Sequence, residues 1–539
     1  MNKIIFNANN LVVDALTEIK NKNYTEAKNL LEKAVLIQPD MFEANHNLAI
    51  LNFQLGHLDS SILYFEKSKK IRPKFSQVYF NLGLAYDKIK KIDLAIINFK
   101  KVIKFDPNNS IALYNIGYLY KKKLETIKAE EYLNKSLYLN PNFIKTYDEL
   151  FGIYDQSNQI EKFSNLLDKA KKILKEKDLV SYYEAVFEYN QKNFKRTIQI
   201  LESIDLKENY FLHNISKHSL LAKSYDRIND FEKAFYHFKI NNKLVNESYG
   251  KDINEKSFIE VVTQRIDFFK NFNFSRWTRY PFKDEFNQPI FLIGFPRSGT
   301  TLLDAILRTN DSIEVIEEKP ILRNFLRNLD LKIKNNFNNL DNLDTKFIEN
   351  MQNVYFQERE QYLLNTKTKT VIDKMPLNIV YIAEILRFFP NAKFIFALRN
   401  PYDSVLSCFM QQFELNPAMK NFISLESSVN LYDLVMKLWI IYRDQFSINC
   451  HFIKYEDLVT DFDKTTKEIF KFLEIDWTDK TKNFYINARK RVNISTPSYN
   501  QITSPLYTRS INRWKNYEKE FKGLKNILDP WLDEFNYQI

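Results

Sequence analysis

Residues Gln288 to Leu307 read QPIFLIGFPRSGTTLLDAIL: an apolar run, a loop holding two of the chain's eight glycines, then a helical apolar pattern. A strand that feeds a glycine loop and a helix start makes a cradle for a phosphate-type anion, because the loop amides and the helix N-terminus all present N–H groups. Gly294 and Gly299 have the G-x-x-x-x-G spacing of a nucleotide-binding loop, but Thr300 stands where the lysine of that motif belongs. A triphosphatase uses that lysine on the β and γ phosphates, so its loss argues against ATP or GTP hydrolysis. The positive charge lies inside the loop instead, at Arg297. An Arg there, with the Gly299 amide and the hydroxyls of Ser298, Thr300 and Thr301, suits a compact anion clamped by a planar multi-donor group without a metal.

Downstream of the loop, KTVIDKM, AKFIFALRN and HFIKY are further short β-rich apolar runs separated by helical stretches. That alternation predicts an α/β domain with a parallel sheet over residues 286–539. Within it, residues 328–370 are Asn-, Asp- and Leu-rich and weakly patterned, and read as a solvated helical excursion in preference to a substrate lid. Upstream, residues 246–285 read as a helical linker.

Before the linker, Pro39, Pro73, Pro107 and Pro141 recur every 34 residues. Small and apolar positions recur in register with them: Leu82, Gly83, Tyr86, Ala95 and Phe99 in one unit, Ile116, Gly117, Tyr120 and Ala129 in the next. Period and residue type together resemble the tetratricopeptide repeat. In such an array a small residue lets the paired helices approach, and proline ends the second helix because it lacks an amide hydrogen. Decayed copies continue to the pattern Leu221, Ala222, Tyr225, Ala234 and Phe238, so residues 8–245 are expected to form an all-α solenoid. Its concave groove would take a peptide or protein partner, or the array would only dock on the catalytic domain and mediate self-association; Asn45, Tyr79 and Asn115 read as polar positions of that groove.

Composition bounds the setting. Apolar residues make up 45% of the 539, ample for packed cores, and the length allows about three or four domains. Lys and Arg exceed Asp and Glu by 78 to 67, a formal charge of +11, which points to anionic partners without choosing among nucleic acid, a membrane surface and a small anion. The two cysteines, Cys408 and Cys450, have no metal-ligand or disulfide-framework spacing. The opening MNKIIFNANNLVVDAL does not read as a signal peptide, and no stretch approaches the about 18 apolar residues of a membrane span. A cytoplasmic protein without a metal site is the expectation.

The loop sequence PRSGTT resembles the 5′-phosphosulfate loop of sulfotransferases, which use 3′-phosphoadenosine 5′-phosphosulfate (PAPS) and release 3′-phosphoadenosine 5′-phosphate (PAP). Further segments carry the resemblance. In NAKFIFALRNPYDSVLS, Arg399 at a strand end and Ser407 eight residues later match the family's 3′-phosphate pair. In VIDKMPLN, Lys374 matches the lysine beside the bridging oxygen of the phosphosulfate, with Asp373 as a magnesium ligand the rival reading. Tyr455 in FIKYEDLV matches the adenine-side tyrosine. The segment PSYNQITSPLYTRSINRWKNYEKEF is similar to the close of tyrosylprotein sulfotransferases and of bacterial fusions of tetratricopeptide repeats to a sulfotransferase domain, with Ser498, Gln501 and Pro505 at its opening and Arg513 with Trp514 at its end. Gln411 departs from the further basic residue of some animal enzymes, which weakens a claim to the same acidic peptide acceptor.

The resemblance implies a PAPS-dependent transferase of the EC 2.8.2 type acting on a hydroxyl, which needs a base. Five of the six histidines lie in the repeats, and His451 falls in an apparent buried strand. The carboxylates of SIEVIEEKP remain: counted from Arg297, Glu318 matches the family's catalytic Glu, with Glu317 one residue away. The expected catalytic set is Glu318, Arg297, Lys374 and Ser498. The expected cofactor contacts are Arg297, Ser298, Gly299, Thr300, Thr301, Arg399, Ser407, Tyr455 and Arg513. Protein tyrosine, a saccharide and a small alcohol or phenol stay open as acceptors. A P-loop small-molecule kinase and a repeat scaffold with an inactive domain are the alternatives.

Overall fold

The computed structural model describes residues 2–250, 257–272, 288–334, 336–364, 370–490, 503 and 505–538. The chain divides into two compact units, Met1–Glu208 and Asn209–Ile539.

In the first unit twelve helices, from Asn2–Lys20 to Phe194–Ser203, form six helical hairpins. Each hairpin turns at one residue in the left-handed region: Lys22, Gly56, Lys90, Leu124, Asn158 and Lys192, again 34 apart. The period therefore persists beyond Pro141, carried by a backbone conformation after the proline has gone. Pro39, Pro73 and Pro141 each offer a carbonyl to the side chain six residues on, from Asn45 Nδ2 (2.8 Å), Tyr79 Oη (2.8 Å) and Tyr147 Oη (3.0 Å). Leu113 cannot make that bond, and Asn109 caps its helix instead by accepting from the Ala112 amide. A methyl on Gly83 would meet the Phe99 ring at 2.7 Å, which is why the small residue sits there. Asn45 is fully buried between repeats, so the structure corrects its reading as a groove position.

The second unit opens with one more hairpin, Phe211–Arg227 and Phe231–Tyr249, turning at Asn229. The sequence reading ends the repeats at 245; here the last helix runs to Tyr249, and this hairpin belongs with the α/β domain. Phe235 packs on Phe409, and Asn242 donates to the Phe409 carbonyl at 2.9 Å. The helix Phe258–Phe269 follows and lies along the helix Leu425–Gln445. Its Arg265 is buried against Glu384 at 2.6 Å and stacks over Tyr381, a buried charge that is paired as burial requires.

Five parallel strands, β1 (Ile290–Gly294), β2 (Ile313–Glu317), β3 (Thr370–Lys374), β4 (Lys393–Leu398) and β5 (Asn449–Lys454), stand in the order β2-β3-β1-β4-β5. Alternation along β1 sends Leu292 into one core with Leu303, Ile306, Ile395 and Ile469, and Phe291 into another with Phe394 and Tyr355. Both faces of the central strands are covered, as an all-parallel sheet demands. β5 is an edge strand, and His451 on it is only half-buried, stacked on Phe472. The region read as a solvated excursion is corrected too: the helix Thr345–Glu360 buries Ile348, Met351, Tyr355 and Phe356 and forms part of a core.

Among the described residues no helix is long and apolar enough to cross a membrane.

Candidate functional site

Parallel strands bring all their carboxyl ends to one edge, and ligands of open α/β sheets bind there. β1 ends in the Gly294–Gly299 loop, β2 ends at Glu317 with Glu318 next, and β3 ends at Lys374. Arg399 follows β4, and Tyr455 follows β5. Residues spread over more than 150 positions in sequence therefore share one edge because of topology alone.

The loop after β1 is tightly built. A Cβ on Gly294 would lie 2.5 Å from the Ala397 carbonyl oxygen, and one on Gly299 (φ 98°) would lie 2.9 Å from the Tyr455 ring. Between them Arg297 is left-handed at φ 68°, an uncommon backbone for a non-glycine residue. That conformation turns its Nε to donate to Ser407 Oγ at 3.2 Å. Burial holds the Arg297 guanidinium below its usual value, with Arg399 adding to the effect. Arg399 donates from Nη1 to the Arg297 carbonyl (3.0 Å) and from Nη2 to the Ser510 carbonyl (2.7 Å), and lies over the Tyr455 ring. Ser407 rides on the helix Pro401–Phe409, whose N-terminus Asn400 caps. The arrangement brings Arg297, Arg399, Ser407 and Tyr455 together.

The fit of an anion follows from what is left over. Among the described residues, Ser298 Oγ and Arg399 Nε are buried without a hydrogen-bond partner. The helix Thr300–Leu307 starts at Gly299 with no side-chain cap. A hydroxyl, a guanidinium N–H and uncapped helix amides at one sheet edge are the donors that phosphate and sulfate oxygens satisfy.

A second cluster stands at the ends of β2 and β3. Glu317 and Lys374 are register partners, and Lys374 Nζ lies 3.3 Å from Glu317 Oε1 and 2.7 Å from Glu318 Oε1. Lys374 is fully buried and Glu317 8% exposed, whereas the Glu318 side chain is 39% exposed. Glu318 also has a left-handed backbone (φ 50°), fixed by its amide donating to the Lys374 carbonyl at 2.9 Å. Left-handed non-glycine residues mark tight turns, as in the repeats, and also ligand and active sites. Arg297 and Glu318 both have this backbone at one sheet edge.

Asp373, the magnesium ligand of the rival reading, faces away from Lys374 and accepts from Tyr355 Oη at 3.2 Å. Burial pushes its carboxyl up to about 7. A carboxyl raised in the folded state binds its proton there at pH values where the unfolded chain has lost it, so stability falls as pH rises from about 4 through about 7. Asp373→Asn is therefore expected to raise the thermal midpoint relative to wild type at pH 8, with the gain shrinking toward pH 5; an equal gain at both values in a thermal melt would contradict a buried neutral acid.

Arg513 is placed differently from Arg399: its Nη2 donates to Asp226 at 2.8 Å. Ser498 and Gln501 lie outside the described residues. Sequence reading missed Asp403, which accepts from the amides of Asn512 and Trp514; an acid in the first turn of the helix after Arg399 is the signal that could have found it.

Residues 289–479 match the sulfotransferase family, and residues 15–41, 42–75, 76–109 and 98–131 match the tetratricopeptide repeat. The chain joins tetratricopeptide repeats to a sulfotransferase-family domain. Similar proteins are an uncharacterized protein of Aquifex aeolicus, 25% identical over 59% of this chain and 43% of that one, and a protein-tyrosine sulfotransferase of Drosophila melanogaster, 24% identical over 42% and 46%. The chain thus spans under half the length of these two relatives. Among solved structures, a tetratricopeptide repeat protein from Parabacteroides merdae is 14% identical with a TM-score of 0.35, covering 44% of this chain and 93% of that one. The sulfotransferase domain contains every described residue of the sheet edge, from the loop at Gly294 to Tyr455.

Proposed function

We propose that this chain is a sulfotransferase that transfers a sulfuryl group from PAPS to a hydroxyl acceptor. The observation that carries the reading is the bonded series Arg399, Arg297 and Ser407. Arg297 of the β1 loop donates to Ser407, and Arg399 donates to the carbonyl of Arg297, an arrangement that would set a clamp for one anion against a clamp for a second. PAPS has two such groups and ATP lacks the 3′-phosphate.

When bound, PAPS supplies a sulfuryl group whose bond to the 5′-phosphate oxygen breaks as the acceptor oxygen attaches to sulfur. Arg297, Ser298, Gly299, Thr300 and Thr301 would hold its 5′ end, Arg399 and Ser407 its 3′-phosphate, and Tyr455 its adenine side. Glu318, the more exposed carboxylate, takes the proton from the acceptor hydroxyl. Lys374 Nζ orients Glu318 through the 2.7 Å bond, and has a proton to give the leaving oxygen. Ser498 is assigned to the same charge-stabilising set on the resemblance alone. The repeats are assigned a protein or peptide partner on the same footing.

Calorimetry of the full chain with PAP, in the absence of divalent metal, tests the reading. Tight metal-free binding is expected. Preference for magnesium-ATP would replace it with the kinase, and binding of neither would leave the inactive scaffold. Protein tyrosine, saccharide and small phenol acceptors are separated by sulfate incorporation from labelled PAPS.

A further inference from the structure

The segment Pro505–Phe521 is a strap at the sheet edge, bonded to Arg399, to Asp403 and to Asp226. Ser510 offers its carbonyl to Arg399 Nη2 at 2.7 Å. Two residues on, the amides of Asn512 and Trp514 donate to the two carboxylate oxygens of Asp403 at 2.7 and 2.8 Å, and the Trp514 ring stacks on Tyr402. Between and beyond these bonds, Arg513 Nη2 and Tyr517 Oη both donate to Asp226 Oδ1, at 2.8 and 2.6 Å. The Tyr517 ring also packs edge-on against Phe231.

Asp226 is a residue of the hairpin that precedes the α/β domain, 287 positions upstream of Arg513 and outside the stretch that matches the sulfotransferase family. Its position is unfavourable in isolation, because an acid in the last turn of a helix meets the negative end of the helix dipole. The guanidinium of Arg513 and the phenol of Tyr517 offset that repulsion. The same two bonds tie the strap to the hairpin three and seven residues beyond Ser510, whose carbonyl accepts from Arg399.

We infer that Asp226 is a positioning residue for the cofactor site: through Arg513 and Tyr517 it holds the strap that orients Arg399, so the last repeat hairpin is a working part of the transferase. This rests on the PAPS reading above. Arg513 then serves the cofactor through its hold on the hairpin.

The test uses the full chain and two measurements. Hydrogen exchange of the strap amides, without nucleotide, reads the anchoring; PAP calorimetry and steady-state kinetics read its consequence. Asp226→Asn is expected to speed exchange at Asn512 and Trp514 by about tenfold or more and to weaken PAP about tenfold, as loss of a charge-assisted bond implies, with turnover at saturating PAPS within about twofold. Asp226→Glu should recover most of both losses, and unchanged protection in the helix Phe211–Arg227 controls for folding. Should Asp226→Asn fail to fold, Tyr517→Phe is expected to give the same pattern at about threefold. Unchanged strap exchange in the folded variants overturns the inference, as does a loosened strap with PAP affinity intact. Failure of the wild-type chain to bind PAP overturns the PAPS reading and the cofactor role together, and is recognised because the exchange measurement needs no nucleotide.

Discussion

Glu318→Gln is expected to lower turnover by on the order of 10²-fold or more, the loss that follows removal of a general base, while PAP affinity stays within about twofold. The amide has the shape of the carboxylate and keeps the bond from Lys374 Nζ, now to a neutral oxygen. What it cannot do is accept the acceptor's proton. The backbone argues that the substitution is clean: the left-handed conformation at residue 318 is imposed by the amide's bond to the Lys374 carbonyl, and Gln bears that conformation as Glu does. Glu317 makes the informative control. It is the last residue of β2, 8% exposed, and is bonded by the same lysine at 3.3 Å. A severe loss in Glu318→Gln with a smaller one in Glu317→Gln identifies the exposed carboxylate as the base; near-normal turnover in Glu318→Gln with an inactive Glu317→Gln would move the role one residue back.

The parts of this site that sequence reveals are those whose chemistry is local. A strand, two glycines and an Arg between them, with Thr300 at the lysine position, lie within twenty consecutive residues, so Gly294–Gly299 is legible as an anion loop before any fold is known. The repeats are legible for the same reason, plainly as far as Pro141 and as decayed copies to Phe238. Beyond Pro141 the period survives in the left-handed turns at Asn158 and Lys192, and a lysine in that conformation has no signature in sequence. The helix Thr345–Glu360 misleads in the opposite way: an Asn-rich neighbourhood masks Ile348, Met351, Tyr355 and Phe356, which do have helical spacing. Least legible are contacts that only topology creates. The loop-to-helix bond from Arg297 to Ser407 joins positions 110 apart, and nothing local in either segment specifies it. The strap's hold on Asp226 is longer still: the repeat pattern of residue types runs on into the seventh hairpin, whose turn at Asn229 falls 37 residues after Lys192 and off the 34-residue period, and packing assigns that hairpin to the α/β unit.

Lys374→Met should be the most damaging single change, because it combines two losses that a second substitution can separate. The ammonium is fully buried and bonded to both carboxylates, so its removal leaves the buried Glu317 without this cation; breaking such a pair costs about 3–5 kcal/mol of stability. It also removes the charge and proton offered to the leaving oxygen, with an expected fall in turnover on the order of 10³-fold. If the first loss comes from breaking the Lys374–Glu317 pair, Lys374→Met combined with Glu317→Gln should regain most of the unfolding midpoint in a urea titration. Turnover should stay low, because no neutral partner at residue 317 restores a proton donor at residue 374. Recovery of turnover together with stability would mean that Lys374 acts only by holding the strand ends together. The cycle with Glu318→Gln bears on the same point from the chemical side. Base and lysine are bonded at 2.7 Å and are proposed to act on one transfer event, so their losses should fall well short of adding, whereas independent binding contacts would add.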